Sequence, residues 1–338
     1  MKKIVALLLV LTMAVALVGC KKDDKEGALT KVVLNEVAHS YFYAPMYVAI
    51  ELGYFEEEGI DLVLVNGSGA DNTMTALVSG EADIGFMGSE QSIFVTNEGM
   101  SDQVVNFAQL TQRAGNFLVV REGVEYEMEE DGSFDWNSLK GKTVIGGRAG
   151  GMPEMVFEYI LDQKGIDKAD IDIIQNIDFG YTGQTFASGE GDYTIEFEPS
   201  ASSLVTEGYG NIVASLGEES GYVPYTAFCA KQSYIDENKD VIQKFTNALQ
   251  KGLDYVNTHT VEEVANVIAP QFEGFDAETI AIGLKNYADQ DSWKEDLIFE
   301  ESSYDLLLDI LEYSKVIDER PDYNKLVTTE FAKAAAKK

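Results

Sequence analysis

Histidine and cysteine are scarce in this chain, and their scarcity limits the chemistry that it can perform. Two histidines, His39 and His259, and two cysteines are all that its 338 residues contain. The histidines stand more than two hundred residues apart, so the spacing of a zinc-binding helix or of a histidine-rich metal site is missing. We therefore predict neither a metal site nor a cofactor.

Common enzyme motifs are missing as well. The sequence GKT at 141–143 resembles the end of a phosphate-binding loop, but Trp136 occupies the position of that loop's first glycine. In GGRAGG, residues 146–151, Arg148 occupies the middle glycine position of a dinucleotide-binding loop. No GxSxG nucleophile motif occurs. Nothing in the sequence therefore favours catalysis.

Positive charge is the third deficit. Lysine and arginine number 25 against 58 aspartates and glutamates, which gives a formal net charge of −33. Such a surface repels phosphate backbones, so nucleic acid is excluded as a partner. The acidic run at 125–135 lacks the ligand spacing of a calcium loop, and we interpret it as a solvated surface loop.

The N-terminal segment predicts export. Two lysines precede an apolar run over 4–18 that ends in LVGC at Cys20. The run is shorter than the roughly 20 residues of a bilayer-spanning helix, so we interpret 1–19 as a signal peptide. LVGC resembles the bacterial lipoprotein box, which implies a lipidated Cys20 and a flexible tether over 20–30. The alternatives are an ordinary signal anchor and a periplasmic protein with a cysteine near its start. Cys229 is then expected to be a small buried apolar residue.

After the tether, short β-branched runs alternate with helical stretches in two successive sets. The first set begins with KVVLNEV at residue 31 and ends with VVNFAQL at 104–110. The second begins with KTVIGG at residue 142 and ends with NIVASL at 211–216. Alternation of this kind is typical of α/β folds with largely parallel sheets, so we predict two α/β lobes.

Two segments join the predicted lobes. We interpret 110–122 and 223–235 as strands that cross between the lobes, which would leave a cleft with a hinge. We predict one lobe over 31–112 together with 226–338, and the other lobe over 113–225. Towards the C-terminus apolar residues repeat at helical spacing, which predicts extra helices that cover the first lobe.

Four strand-to-helix junctions are rich in glycine and other small residues, and we expect them to seat a ligand. In an open α/β sheet, ligands bind at the carboxyl ends of the strands, where helix N-termini present unpaired N–H groups. The alternative is that the glycines only make tight turns. The candidate binding residues at these junctions are Ser68, Gly69, Ala70, Ser89, Gly150, Gly151 and Met152.

Aromatic and polar side chains near the junctions are candidate ligand contacts. Flat rings on both lobes can clamp a planar ligand, and the candidates are His39, Tyr41, Tyr43 and Tyr181. Arginines would bind an anion, whereas carboxylates would accept hydrogen bonds from an amine or an aminopyrimidine. The polar candidates are Glu90, Gln112, Arg113, Arg148, Glu196 and Glu198. Each charged side chain has an alternative as a solvated or salt-bridged surface group.

Several stretches resemble one known family. YVAIELGYFEEEGIDLVLV, LVSGEADIGFMG and GDYTIEFEPSASSL are similar to the solute-binding lipoproteins of bacterial ABC importers for nitrate, taurine, aliphatic sulfonates and the pyrimidine precursor of thiamine. The resemblance covers most of the chain after residue 31 and implies a type 2 periplasmic-binding-protein fold that closes on a ligand. Ser89 and Glu90 match the family's ligand-contacting helix start, and Glu198 and Pro199 match its EP pair. The pyrimidine synthases that share this domain use a cysteine-rich motif and a reactive histidine, and the chain lacks that motif.

The resemblance and the residues together predict the substrate-binding component of a bacterial ABC importer. It would capture a small solute between its lobes and deliver it unchanged to a permease and its ATPase. We expect a monomer without enzymatic activity, anchored to the cell membrane outside the cytoplasm by its lipid. The carboxylates favour a planar nitrogen compound such as a thiamine-type pyrimidine, while Arg113 and Arg148 keep a sulfonate, taurine or nitrate as alternatives. The rival functions are an extracellular enzyme on the same scaffold and a sensory co-receptor lipoprotein.

Overall fold

The computed structural model describes residues 29–177 and 179–337. The predicted signal peptide, Cys20 and nearly all of the predicted tether lie outside the described residues. Within the described part, ten strands form two five-stranded sheets, one in each lobe. The strands of lobe 1 are β1 Thr30–Glu36, β2 Ile60–Asn66, β3 Ile84–Met87, β4 Val104–Thr111 and β10 Thr226–Lys231. The strands of lobe 2 are β5 Phe117–Arg121, β6 Thr143–Ile145, β7 Asp172–Ile174, β8 Tyr193–Glu196 and β9 Gly210–Ser215.

The two sheets share one arrangement of strands. The order is β2-β1-β3-β10-β4 in lobe 1 and β7-β6-β8-β5-β9 in lobe 2. β1 runs parallel to β2 and β3, and β6 runs parallel to β7 and β8. β10 and β5 are antiparallel to both of their neighbours. Each of these two strands is the first that the chain forms after it crosses from the other lobe, so both sheets are mixed. The predicted α/β class is confirmed.

Helices cover both sheets. Pro45 and Pro153 lie in the first turn of their helices, where a missing N–H group costs no hydrogen bond. The helices are α1 Ala44–Glu51, α2 Tyr54–Glu57, α3 Ala70–Ser79, α4 Glu90–Asn97, α5 Met152–Gln163, α6 Phe179–Ala187, α7 Ser200–Thr206, α8 Leu216–Ser220, α9 Gln232–Glu237, α10 Lys239–Thr258, α11 Val261–Ile268, α12 Ala277–Asp289, α13 Glu301–Tyr313, α14 Tyr323–Leu326 and α15 Glu330–Ala335. Short 3-10 turns occur at Tyr41–Tyr43, Trp136–Leu139, Lys168–Asp170 and Ala269–Gln271.

Two short segments connect the lobes. The first crossing, residues 112–116, joins β4 to β5, and the second, residues 216–225, joins β9 to β10. The second crossing contains the helix α8, and of the segment 223–235 that the sequence predicts as a crossing strand, only β10 forms a strand, while its last residues belong to the helix α9. The lobe boundaries drawn from the sequence at 112/113 and 225/226 fall in or beside these crossings and remain predictions.

The long helix α10 covers lobe 1 by packing on α1. Gly252 makes this close approach possible, because a Cβ atom added to it would lie 2.1 Å from the carbonyl oxygen of Pro45 and 3.0 Å from the Cβ of Ala49. Phe245 and Leu249 of the same helix are fully buried. The predicted apolar face of the C-terminal region is therefore a packing surface of lobe 1.

The C-terminal region also reaches lobe 2. We call residues 301–326 the C-terminal strap. Its helix α13 packs on α5, with the rings of Tyr313 and Tyr159 5.9 Å apart. Just after the strap, the N–H of Thr328 donates to the carbonyl of Asn106 in β4 at 2.9 Å, which returns the chain to lobe 1. The sequence assigns the whole of 226–338 to lobe 1, whereas the strap contacts both lobes.

The described residues include no helix that is both long and apolar enough to cross a membrane. In the same part of the chain no group of histidine, cysteine, aspartate or glutamate side chains could hold a metal ion. Cys229 is a buried free cysteine, as predicted from the sequence. Burial raises the pKa of its thiol to about 12.

Candidate functional site

Junctions from the two lobes meet at one place. Asp71 lies in the first turn of α3, directly after Ser68, Gly69 and Ala70. Arg148 lies in the junction that leads from β6 to α5, and its guanidinium contacts the Asp71 carboxylate at 3.1 Å. Both side chains are about two-thirds exposed (64% and 67%). This ion pair therefore joins a junction of lobe 1 to a junction of lobe 2.

The junction before α3 is a tight turn. Ser68 and Gly69 have positive φ angles of 54° and 143°, and the N–H of Ser68 donates to the side-chain oxygen of Asn66 at 2.8 Å. The first turn of α3 has no side-chain cap, so its N–H groups stay available. The junction before α5 is built in a similar way, with Gly150 at φ 75° and no side-chain cap at Gly151. Met152, the first residue of α5, is buried.

Five aromatic side chains form a ring cluster where lobe 1, lobe 2 and the second crossing meet. Tyr43 packs edge-on against Phe86 at 4.5 Å and lies 5.5 Å from Phe42. Phe42 lies 6.2 Å from Phe197 of lobe 2 and 5.8 Å from Tyr225 of the second crossing. We use the name ring cluster for these five residues. Of its members, the sequence analysis proposed Tyr43 alone as a binding residue.

Gly115 of the first crossing lies directly against the ring cluster. A Cβ atom added to it would be 2.8 Å from the ring of Phe42 and 2.9 Å from the ring of Phe197. Any larger residue would therefore push apart two rings that belong to different lobes. Phe197 is half-buried.

Glu90 lies at the start of α4, after the carboxyl end of β3, and is only 4% exposed. Its Oε1 accepts a hydrogen bond from the Gln91 side chain at 3.1 Å, whereas Oε2 is buried and has no partner among the described residues. Burial raises the pKa of this carboxyl to about 7. The preceding Ser89 donates its hydroxyl to the carbonyl of Pro224 at 2.5 Å, which fixes the start of α4 beside the second crossing.

Asn116 of the first crossing was not identified from the sequence. It is fully buried, and its Oδ1 accepts a hydrogen bond from the Tyr225 hydroxyl at 2.8 Å. Its Nδ2 has no partner among the described residues. A lone asparagine between two apolar strands carries no local pattern, so only the fold could show that it borders the ring cluster.

Glu196 and Glu198 are buried and have protein partners. Glu196 accepts hydrogen bonds from the hydroxyls of Thr194 at 2.6 Å, Ser200 at 2.7 Å and Thr182 at 3.1 Å. Burial raises the pKa of Glu196 to about 7. A solute that bound to this carboxylate, as the sequence predicts, would have to displace a protein donor.

Glu198 is held in the same manner. Its carboxylate accepts hydrogen bonds from the N–H and the hydroxyl of Ser202 at 3.0 and 2.8 Å and from Asn286 of α12 at 2.5 Å. Its backbone N–H donates to the Tyr287 hydroxyl at 2.9 Å. Glu198 therefore joins lobe 2 to the C-terminal helices.

Gln112 and Arg113 hold the hinge rather than the cleft. The Gln112 side chain donates to the carbonyls of Asp291 and Trp293 at 3.1 and 3.3 Å. Arg113 donates to the carbonyl of Gly217 at 3.1 Å, and its guanidinium lies 4.2 Å from the centre of the Tyr222 ring. The guanidinium thus ties one crossing to the other, while its buried Nε has no partner among the described residues, and the use of Arg113 as an anion ligand stays a prediction.

His39 and Tyr41 contact the C-terminal helices. His39 Nδ1 lies 2.7 Å from a Glu36 oxygen, and Nε2 lies 2.9 Å from the carbonyl of Gln271. Both ring nitrogens face acceptors, so this geometry favours the imidazolium form, and the hydrogen bond to Glu36 raises the pKa of His39. Tyr41 is fully buried and packs against Phe272 at 4.5 Å, although the sequence analysis placed it in the cleft.

Tyr181, the remaining aromatic candidate, is 63% exposed on α6. Its neighbour Thr182 reaches the Glu196 carboxylate, so α6 begins at the carboxyl end of β8 in lobe 2. The structure thus brings Tyr43, Ser89 and Glu90 together and leaves Tyr181 on the surface. The role of the sequence-derived set in binding remains a prediction.

The two similar sheets, the two crossings between them and the junctions that meet at Asp71 and Arg148 define a two-lobed α/β protein. The sequence model of the family described as NMT1/THI5 like matches residues 41–263, and the chain belongs to this family. It is 46% identical over 318 residues to Putative binding protein YtlA of Bacillus subtilis strain 168, covering 94% of this chain and 92% of the relative. It is also 22% identical over 320 residues to the formylaminopyrimidine-binding protein of Halalkalibacterium halodurans, covering 87% and 91% of the two chains.

A solved structure shows the same architecture. The periplasmic aliphatic sulphonate binding protein SsuA of Escherichia coli superposes with a TM-score of 0.70 at 16% identity, covering 91% of this chain and 99% of the other. The periplasmic-binding-protein fold expected from the sequence is therefore confirmed. The two relatives named above are binding proteins, and at 46% identity over nearly the whole chain the first of them places this protein among binding proteins of the family.

Proposed function

We propose that this protein captures a small solute in the cleft between its lobes and delivers it to an ABC permease from outside the cytoplasm. The membership of the NMT1/THI5 like family and the 46% identity to a binding protein support the transport role. The lipid anchor on Cys20 remains part of this proposal. Closure would exclude water, so hydrogen bonds inside the cleft would act in a low dielectric.

We infer that the solute is a planar nitrogen compound such as a thiamine-type pyrimidine. The carrying observation is the buried Glu90 carboxylate at the edge of the ring cluster, with one oxygen free to accept a hydrogen bond. No lysine or arginine pairs with it among the described residues. Rings favour stacking on a flat solute, and an acceptor without a cation favours N–H groups over an oxyanion.

Each of the two arginines that would favour an oxyanion has a protein partner. Arg113 donates to the carbonyl of Gly217 while its buried Nε has no partner among the described residues, and Arg148 pairs with Asp71. The relative from Halalkalibacterium halodurans, named for a formylaminopyrimidine, is consistent with a pyrimidine-type solute. The sulphonate-binding neighbour from Escherichia coli represents the competing solute class.

Thermal-shift screening of the purified protein tests this proposal. A ligand that binds only the folded state raises stability by about 2.7 kcal/mol at one hundred times its Kd. Aminopyrimidines are expected to raise the melting temperature, and alkanesulfonates, taurine and nitrate are expected to leave it unchanged. A rise with a sulfonate or nitrate and none with any pyrimidine or amine would overturn the solute class. Calorimetric titration of each hit then gives its Kd.

A further inference from the structure

Among the described residues, two buried polar atoms of opposite hydrogen-bonding character lack partners near the ring cluster. Glu90 Oε2 is an acceptor when the carboxyl is ionised, and Asn116 Nδ2 is a donor. Both residues are more than nine-tenths buried. Buried polar groups in folded proteins nearly always have partners, and an unpaired one indicates that a partner is missing. Here the missing partner would have to offer a donor and an acceptor.

Tyr225 places these two atoms beside the same rings. Its hydroxyl donates to Asn116 Oδ1 at 2.8 Å, and its ring packs against Phe42 and Phe197. Burial raises the pKa of Tyr225, and the nearby charge of Glu90 adds to the rise. Burial and the charge of Glu90 also raise the pKa of Tyr43, another member of the ring cluster. Asn116 thus contacts the Tyr225 hydroxyl, and Glu90 follows Ser89, whose hydroxyl contacts the carbonyl of Pro224, the residue before Tyr225.

The orientation of both groups is fixed by the protein. The Asn116 oxygen faces the Tyr225 hydroxyl and accepts its hydrogen bond, and Nδ2 lies on the other side of the amide. Ser89 anchors the start of α4 on the carbonyl of Pro224, the residue before Tyr225. Gly88 lies under the Glu90 carboxylate, where an added Cβ would come within 2.2 Å of Oε2. A ligand would thus meet a preorganised acceptor and donor.

We propose that Glu90 and Asn116 determine specificity by binding one edge of a flat nitrogen heterocycle that carries an amino group beside an unprotonated ring nitrogen. The amino group would donate to Glu90 Oε2, and the ring nitrogen would accept from Asn116 Nδ2. This proposal rests on the proposed function, because it names the ring edge that the cleft selects. It adds Asn116, which no comparison or sequence pattern assigns, as a specificity residue.

Two small pyrimidines with opposite edges test the proposal. 4-Aminopyrimidine presents a donor beside an acceptor, whereas pyrimidin-4-one presents an acceptor beside a donor. Calorimetric titration of the wild-type protein at pH 8 is expected to give a Kd at least tenfold lower for 4-aminopyrimidine. Glu90→Leu removes the acceptor and is expected to weaken 4-aminopyrimidine at least tenfold. Glu90→Gln keeps the shape and one oxygen, so a smaller loss is expected.

Asn116→Asp replaces the donor with an acceptor and retains an oxygen for Tyr225. It is expected to reduce the preference for 4-aminopyrimidine over pyrimidin-4-one at least tenfold. Glu158→Gln is the matched control, since Glu158 is another buried carboxyl, located on α5 with Lys168 as its partner. It is expected to leave both Kd values unchanged. Melting temperatures of all four variants separate loss of binding from loss of folding.

The failures of the two proposals are distinguishable. If the wild-type protein binds both pyrimidines equally and the variants of Glu90 and Asn116 bind them as the wild type does, the role of these two residues is overturned while a planar solute stands. If the wild-type protein binds neither pyrimidine, the solute class itself is overturned and the role of the pair falls with it.

Discussion

At the scale of single residues, three buried carboxylates differ in their partners rather than in their exposure. Glu196 is satisfied by three hydroxyls, and Glu198 by Ser202 and Asn286. Glu90 retains an oxygen without a partner among the described residues. Because a free acceptor can bind a solute without breaking a protein contact, Glu90 is the best placed of the three for recognition.

The first prediction concerns Glu198→Ala. The substitution leaves the N–H and hydroxyl of Ser202 and the amide of Asn286 without their acceptor. We expect the free energy of unfolding to fall by about 2 to 4 kcal/mol, because each stranded buried donor costs about 1 to 3 kcal/mol. Urea denaturation of the variant and the wild type measures the loss.

Exposed Glu207, at the C-terminal end of α7, provides the control for this substitution. Glu207→Ala is expected to change the free energy of unfolding by less than about 0.5 kcal/mol. If Glu198→Ala kept full stability and lost only solute binding, the carboxylate would be a ligand contact, as the sequence alone suggested.

Most secondary elements were predictable, because their signals are local. β-Branched runs such as IDLVLV predicted β2, and Pro153 marked the start of α5. The positions of the polar side chains were not predictable from the sequence, because their partners are distant along the chain. Arg113 binds Gly217, and Tyr41 packs on Phe272, each more than one hundred residues away. No local pattern tells whether such a side chain faces a cleft or a hinge.

At the scale of elements, the close contact of α10 with α1 predicts that a glycine-to-alanine substitution in a helix destabilises the protein. Alanine normally stabilises a helix interior by about 0.8 to 1 kcal/mol relative to glycine. At Gly252 the new methyl would collide with the Pro45 carbonyl and force the helices apart. We expect Gly252→Ala to lower the free energy of unfolding by about 1 to 3 kcal/mol, as overpacking does.

Gly180 in α6 is the matched control, because a Cβ atom added there meets nothing within 4 Å. Gly180→Ala is expected to raise stability by a few tenths of a kcal/mol to about 1 kcal/mol. Denaturant titration of both variants measures their free energies of unfolding. Stabilisation at both positions would show that α10 and α1 can separate without cost.

At the scale of the whole molecule, several buried carboxyls couple stability to pH. Burial raises the pKa values of Glu90, Glu154 and Glu196 to about 7. In the unfolded chain the same groups ionise near the ordinary value, so between about pH 4.5 and 7 the folded state binds more protons. Stability must therefore fall as the pH rises through this interval.

We expect the melting temperature to be higher at pH 5.5 than at pH 8. Glu196→Gln mimics the neutral carboxyl at every pH, and its neighbouring hydroxyls can rotate to bind the amide. This variant should show a smaller difference between the two pH values, by about 1 to 3 kcal/mol in the free energy of unfolding. Scanning calorimetry of both proteins measures the difference. An unchanged slope in the variant would show that Glu196 ionises as readily in the fold as in water.

The C-terminal strap has a consequence for how the lobes can move. Its helix α13 rests on lobe 2 through Tyr313 and Tyr159, while Thr328 fixes the following chain to β4 of lobe 1. Any swing of one lobe must therefore flex the linkers that flank α13. Amide hydrogen exchange in residues 290–300 and 314–322 should slow when a solute binds between the lobes, so these two linkers would report occupancy.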